Sequence, residues 1–464
     1  SEMCIRDSNS FFSRVNYTFA NKYVIEGTIR ADGSSRFDPD HRWGWFPGVN
    51  AAWRVGEEGF MKRLGWFEDL KVRASYGEMG NQSGIGLYDY IQLISLSNDY
   101  YPFGTGVKGQ MATSGNIIST SRTWETIQTT NVGFDFSTLN NRLYGSFDYF
   151  WKENKNMLIP KTYPSMLGAD APSTNSGHLS IHGWEISLGW RDQIKDFSYS
   201  VRFNISDAKN KVVDRVGSNL IKLGNNETPT GYPLNSYFGY EFDGIIQNEQ
   251  ELEAYKSRFS EGGIPGDLSV GDAMYKDLDG DGKLSVLGDG KEGSGDVKYL
   301  GDKNPRYNFG FNLSMAWKGF DLSAFIQGVG RRTMFLEGES RCPMPEAWYQ
   351  SAEYWYGKTW TPERTDAQYP AITLKDKRNY NYYVSTNTKF NVAYARLKNL
   401  QFGYTIPQTL TSKAGLQKVR VYFSGEDLFE VHNTPNGWDP EENSGSITSY
   451  PFTRNYSFGI NVVF

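Results

Sequence analysis

The stretch YNFGFNLSMAW, residues 307–317, alternates without a break. Tyr307, Phe309, Phe311, Leu313, Met315 and Trp317 fall on one side, and Asn308, Gly310, Asn312, Ser314 and Ala316 on the other. A period of two belongs to a β-strand with one apolar and one polar face. The run is about 11 residues, the length at which a tilted strand crosses a bilayer. FSYSVRFNIS (197–206) repeats the pattern, with Phe197, Tyr199, Val201, Phe203 and Ile205 set against Ser198, Ser200, Arg202, Asn204 and Ser206. Residues 143–151, 184–190 and 419–423 read the same way.

Composition agrees. Aromatic residues make up 16% of the 464 residues, hydrophobic residues only 38%, and there are 49 glycines. Strands favour aromatics and helix interiors disfavour glycine, so the mixture is that of an all-β chain. No run of 18 or more apolar residues occurs, which excludes a membrane-spanning helix but leaves a membrane barrel open, because alternating strands keep average hydropathy low. The net charge of -5 is spread without a basic block, which sets nucleic acid aside. Cys4 and Cys342 are too few for a disulfide or metal framework.

Link lengths separate a barrel from a soluble sandwich, which also alternates. Short turns fall near residues 20–22, 139–141, 191–196 and 318. Between them lie links of about 40 residues (80–123), about 95 (208–304) and about 60 (331–390), far beyond what a compact soluble domain carries. Alternate short and long links put short turns on the periplasmic side and long loops outside, as in an antiparallel transmembrane β-barrel. About thirteen strands are expected, near 11–19, 22–32, 46–55, 67–79, 124–136, 141–154, 181–191, 196–207, 305–317, 319–330, 391–406, 418–429 and 452–464. Complete bacterial barrels have even strand numbers, so an odd count implies missing strands and two unpaired edges.

The ends carry separate signals. SEMCIRDS (1–8) resembles read-through translation of a sequencing-library adaptor, and is expected to be non-native, with the native chain from residue 9 onward. The chain stops at RNYSFGINVVF, with Tyr456, Phe458, Ile460, Val462 and Phe464 on one face. A last strand ending on an aromatic residue is similar to the signal by which outer-membrane assembly machinery recognises barrels.

At residues 11–47 (FFSRVNYTFANKYVIEGTIRADGSSRFDPDHRWGWFP), 70–82 (LKVRASYGEMGNQ) and 124–136 (WETIQTTNVGFDF) the chain resembles successive segments of SusC/RagA-type TonB-linked outer-membrane proteins. GYPLNSYFGYEFDGIIQNEQE (231–251), DLDGDGKLS (277–285), NPRYNFGFNLSMAWKGFDLSAFIQG (304–328) and YARLKNLQFGYTIP (394–407) continue the likeness in order. The resemblance implies a barrel of 22 strands, of which plug and first strands would be absent here. It further implies import of oligomeric nutrients, glycans or peptides, across the outer membrane of a Bacteroidota-like bacterium, with a SusD-like surface lipoprotein and TonB as partners. The alternatives are a siderophore or other TonB-dependent receptor, a barrel hydrolase, or a secreted β-rich glycan-binding protein.

One stretch carries ligand chemistry. KDLDGDGKLS (276–285) offers Asp277, Asp279 and Asp281 as calcium ligands, with Gly282 as the turn, Lys283 through its carbonyl and Ser285 through water. The acid expected at the twelfth position is replaced by Gly288, with Asp289 one place later and Asp296 further on as closing candidates. No sensor helices flank it, so the expected role is a structural calcium that staples a long external loop, and no other cofactor is called for. His178 and His182 fall four apart on a strand, about 13 Å from each other, too far for one ion. The loop EAWYQSAEYWYGKTWTPE, with Trp348, Tyr349, Tyr354, Trp355, Tyr356 and Trp360, fits a glycan contact, a protein interface or a self-packed loop. Carboxylates such as those of WDPEEN (438–443) lack a nucleophile and base, so no enzyme is expected.

Overall fold

A computed structural model of the chain describes residues 7–87, 89–97, 102–103, 107–108, 111–115, 117–160, 173–215, 223–224, 228–287, 295–345, 351–373, 376–442, 445, 450 and 452–464. Thirteen strands form one antiparallel sheet in chain order. They are β1 (Ser8–Phe19), β2 (Tyr23–Ser34), β3 (Trp43–Arg54), β4 (Asp69–Asn81), β5 (Glu125–Thr138), β6 (Leu143–Pro160), β7 (Ser173–Ile194), β8 (Phe197–Asp214), β9 (Arg306–Trp317), β10 (Phe320–Arg331), β11 (Tyr394–Thr405), β12 (Lys418–His432) and β13 (Asn455–Val463). The order places β1 and β13 at its two ends. Internal contacts divide the chain into two units: Ser1–Leu139, Ser146–Trp184 and Lys209–Ser218 in one, Asn140–Gly145, Glu185–Ala208 and Asn219–Phe464 in the other.

In the first unit, pairing aligns Phe19, Tyr23, Trp53, Val72 and Phe134 in one apolar row. The adjoining row on the other face is Asn16, Glu26, Asn50, Ser75 and Asn131. In the second unit the apolar row runs through Tyr199, Met315, Leu322, Phe402, Phe423 and Phe458. The polar row beside it is Ser200, Ser314, Ser323, Gln401, Ser424 and Ser457. The period-two reading of 197–206 and 307–317 therefore holds across neighbouring strands, since pairing brings like faces together. Among the described residues no helix is long and apolar enough to cross a membrane.

Turn chemistry sets where strands reverse. Lys318 (φ 46°) and Gly319 (φ 90°) form the two-residue turn between Trp317 and Phe320, and both left-handed conformations match the twist of a tight hairpin. Ala20 and Asn21 take φ 50° and 56° between β1 and β2. Two links are longer and carry short helices, Gly59–Leu64 between β3 and β4 and Gln408–Thr411 between β11 and β12.

Three strands outrun their expected bounds: β6 has 18 residues, β7 has 22 and β8 has 18. The added part of β7, STNSGHLS, is polar, and those of β6 and β8 (KNMLIP and AKNKVVD) do not alternate, so none shows an apolar period of two, yet the strands continue. Asn175 helps, donating from Nδ2 to the carbonyls of Thr123 and Asn156, each at 2.8 Å. A register shift also interrupts β11 between Leu397 and Asn399 against both neighbours, with Asp427 of β12 at φ 54°. Lys398 and Asp427, the irregular residues, form an ion pair at 2.7 Å.

Candidate functional site

The link between β8 and β9 builds a core together with Tyr380 from the link between β10 and β11. Tyr240, Tyr255, Tyr275 and Tyr380 are buried with Ile246, Leu252, Phe259 and Leu284. A tyrosine core must satisfy its hydroxyls. The Tyr255 and Tyr380 hydroxyls pair at 2.6 Å, and Tyr275 donates to the Tyr380 carbonyl at 2.8 Å. The helix Glu249–Arg258 is capped by Asn248, whose side chain accepts from the Glu251 N–H, while the Glu251 carboxylate accepts from the Gln247 N–H.

This core positions the acidic loop. Asp277 accepts from the N–H groups of Gly280 (2.6 Å) and Gly282 (3.0 Å), which curls the chain around its carboxylate. Asp279 accepts from Asp281 N–H and Gly295 N–H. Asp296 is fully buried and accepts from Leu278 N–H (2.6 Å) and Ser285 N–H (2.8 Å). Asp277, Asp279 and Asp296 each bring one carboxylate oxygen to within 4.8 Å of the others. Asp281 is outside this trio and accepts from Lys283 N–H instead, while Lys283 bridges to Gly262. Ser285 contributes through its backbone, whose N–H and carbonyl both bond Asp296. Asp289 lies outside the described residues. Burial pushes the Asp296 carboxyl above the ordinary range, against the pull of its two N–H donors, and the charges of Asp279 and Asp277 add to the rise.

The aromatic loop is mostly self-packed. Trp355 is buried against Tyr369 and Tyr382, with ring centroids 4.9 and 5.5 Å away. The Lys358 ammonium sits 3.6 Å from the Tyr354 ring centroid, and Trp360 donates its indole N–H to Gln247. Tyr356 alone of the described rings projects, 89% exposed, and Trp348 and Tyr349 lie outside the described residues. His178 and His182 both lie on β7, and His178 pairs with Glu153 at 2.6 Å rather than with His182.

Sequence reading missed a buried charge cluster. Arg396 on β11 is fully buried, donating to Glu430 of β12 at 2.7 Å and to Asp439 at 2.6 Å, with Glu441 at 3.3 Å. Its guanidinium lies 4.1 Å from the Phe452 ring centroid. The carboxylates of WDPEEN thus anchor the link between β12 and β13 to the sheet. The only hint in sequence is an arginine on the polar face of a strand and acids in a nearby link. At the chain end Phe458 and Phe464 are both 83% exposed and Tyr456 and Ile460 61 and 69%, on an end strand whose other face, with Ser457 and Asn461, is exposed as well.

A family model described as TonB dependent receptor-like, beta-barrel, matches residues 5–428. TonB-dependent receptor P3 of Formosa agariphila is 32% identical over 484 residues, covering 98% of this chain and 45% of that protein. TonB-dependent receptor SusC of Bacteroides thetaiotaomicron is 27% identical, covering 98% of this chain and 43% of that protein. The RagAB peptide transporter structure matches with a TM-score of 0.79 at 23% identity, over 98% of this chain and 48% of that one, a likeness of fold. The chain thus spans about half the length of the proteins it matches.

Proposed function

The chain belongs to the TonB dependent receptor-like β-barrel family, and from that premise we propose that it is the barrel portion of an energised outer-membrane importer of SusC/RagA type. The supporting observation is that paired strands in each unit align an apolar row on one face with a polar row on the other, the arrangement that lets one wall meet lipid and line an aqueous path. Long external links with cores of their own suit capture of oligomeric nutrients, glycans or peptides, beneath a SusD-like lipoprotein. TonB would supply the energy.

Deletion of the whole gene in its host should abolish growth on one oligomeric nutrient while sparing growth on its monomers. The tagged complete protein should co-purify with a surface lipoprotein. Unchanged growth on every oligomer, together with no lipoprotein partner, would refute the assignment, and a defect confined to iron limitation would favour the siderophore alternative.

We also propose that the acidic loop holds a structural calcium. Three carboxylates whose oxygens lie within 4.8 Å of one another suit that hard, oxygen-seeking ion. Asp277, Asp279 and Asp296 would hold it, and it would cancel the repulsion among them while fixing the loop to the tyrosine core.

A further inference from the structure

We propose that the β3–β4 link is a lipid foot, seated in the phospholipid leaflet at the turn end of the sheet. Its helix, Gly59–Leu64, ends at Gly65, whose left-handed conformation (φ 61°) sends its N–H back to the Met61 carbonyl. Phe60 and Leu64 stand one turn apart and share a face. They are 51 and 50% exposed, and Trp66 beyond the cap is 67% exposed. A soluble surface seldom carries three large apolar side chains so close together without a partner.

What covers them follows from how the link is fastened. Glu58, just before the helix, accepts from Lys22 Nζ (2.9 Å), Tyr23 Oη (2.8 Å) and Trp53 Nε1 (3.2 Å). Tyr23 and Trp53 belong to the apolar row described above, their rings stacked at 6.3 Å. Just after the helix, Phe67 packs edge-on against Phe136, at 6.2 Å, and Phe136 in turn lies 6.2 Å from Phe134 of that same row. The link is therefore held at both ends to the lipid-facing side of a membrane barrel, and its exposed apolar trio continues that surface. Lys62 is matched by Glu57 at 2.6 Å, which leaves Arg63, beside Leu64 and with its Nε bonded to the Gly59 carbonyl at 3.2 Å, as the cation for a lipid phosphate. The β11–β12 link repeats the device in smaller form, with Leu410 57% exposed in its short helix and Lys413 just beyond.

The inference rests on the barrel spanning a membrane and not on what it imports. The test uses the complete gene product with Phe60→Cys or Leu64→Cys carrying an environment-sensitive fluorophore, in phosphatidylethanolamine and phosphatidylglycerol vesicles doped with spin-labelled lipids. Quenching should place both labels about 5–10 Å inside the phosphate plane. An Asn140→Cys label in the β5–β6 turn should instead be quenched by aqueous iodide. Iodide quenching of all three labels alike would overturn the proposal, as would blue-shifted emission without lipid quenching, which would mean that protein covers the foot. Should the labelled proteins not assemble, Trp66→Phe should remove part of the intrinsic emission that brominated phospholipid quenches, and no loss would overturn it.

Discussion

Replacing Arg396 by methionine should release the β12–β13 link while leaving the sheet intact. The guanidinium is fully buried and engages Glu430, Asp439 and Glu441. Removing one member of a buried ion cluster costs about 3–5 kcal/mol, because the remaining charges stay buried without compensation. Here Arg454 still reaches Glu430 at 3.2 Å and Lys398 still reaches Glu441 at 3.0 Å, so Asp439 bears most of the loss. The lower end of the range, about 3 kcal/mol, is expected, equivalent to about a hundredfold faster amide exchange in the link. Hydrogen exchange by mass spectrometry should detect it at Asn433, Trp438 and Glu442, whose N–H groups bond Ala393, Pro435 and Asp439. Arg396→Lys should restore only part of the protection, since an ammonium lacks the fork that binds two carboxylates. Exchange within about twofold of the parent, the scatter of uncoupled sites, would refute the role given to Arg396.

Calcium should slow exchange across 277–285, by about 2.7 kcal/mol at a hundred times its dissociation constant, and Asp296→Asn should abolish that response. The pH dependence has a definite sign. The folded Asp296 binds its proton more tightly than the unfolded residue near 3.8, so without calcium the loop should be most stable below that value. It should loosen as pH rises through the higher folded value, and calcium affinity should rise over the same window. Gly189→Val should lower the temperature of heat-modified mobility on electrophoresis by the equivalent of about 1–3 kcal/mol, because its Cβ would fall 2.3 Å from Tyr144 Cζ. Gly27→Ala, with nothing within 4 Å, should stay within about 0.5 kcal/mol by the same assay. Phe464→Asp should reduce the fraction of full-length protein assembled in the outer membrane several-fold, measured by membrane fractionation, and unchanged assembly would count against a terminal signal.

The wall was legible because each strand carries its own record of which face meets which medium. Residues 307–317 need no partner to declare themselves. The row from Tyr199 to Phe458 needed five pairings, of which only Met315 with Leu322 is set by a tight turn and the others follow from matched faces. The upper half of β7 was not legible, since Thr174, Asn175 and Ser176 are held by hydrogen bonds and show no apolar period. Asp296 was harder still. It is brought to Asp277 by the strand Val297–Asp302 pairing with Ser236–Tyr240, a contact between segments about 60 residues apart. Local spacing names Asp281 as a ligand beside Asp277 and Asp279 and gives Asp296 only as a closing candidate beside Asp289, whereas the structure turns Asp281 aside. The aromatic residues around Trp355 could be assigned to a loop from their neighbours, but whether they face solvent depended on Tyr369 and Tyr382, which no local pattern names.

The paired irregularities at Lys398 and Asp427 bear on how such a wall can change over generations. In a sheet of period two, one added or lost residue turns every following side chain to the opposite medium. Lys398 is one extra residue on β11 opposite the consecutive Phe325 and Ile326 of β10, so its deletion would regularise the ladder and keep Arg396 and Leu397 on their present faces. A one-residue change is therefore absorbed at such a bulge, whereas elsewhere in a strand it would exchange the faces, while residue types drift freely within each face. A relative only 32% identical can then align over 98% of this chain.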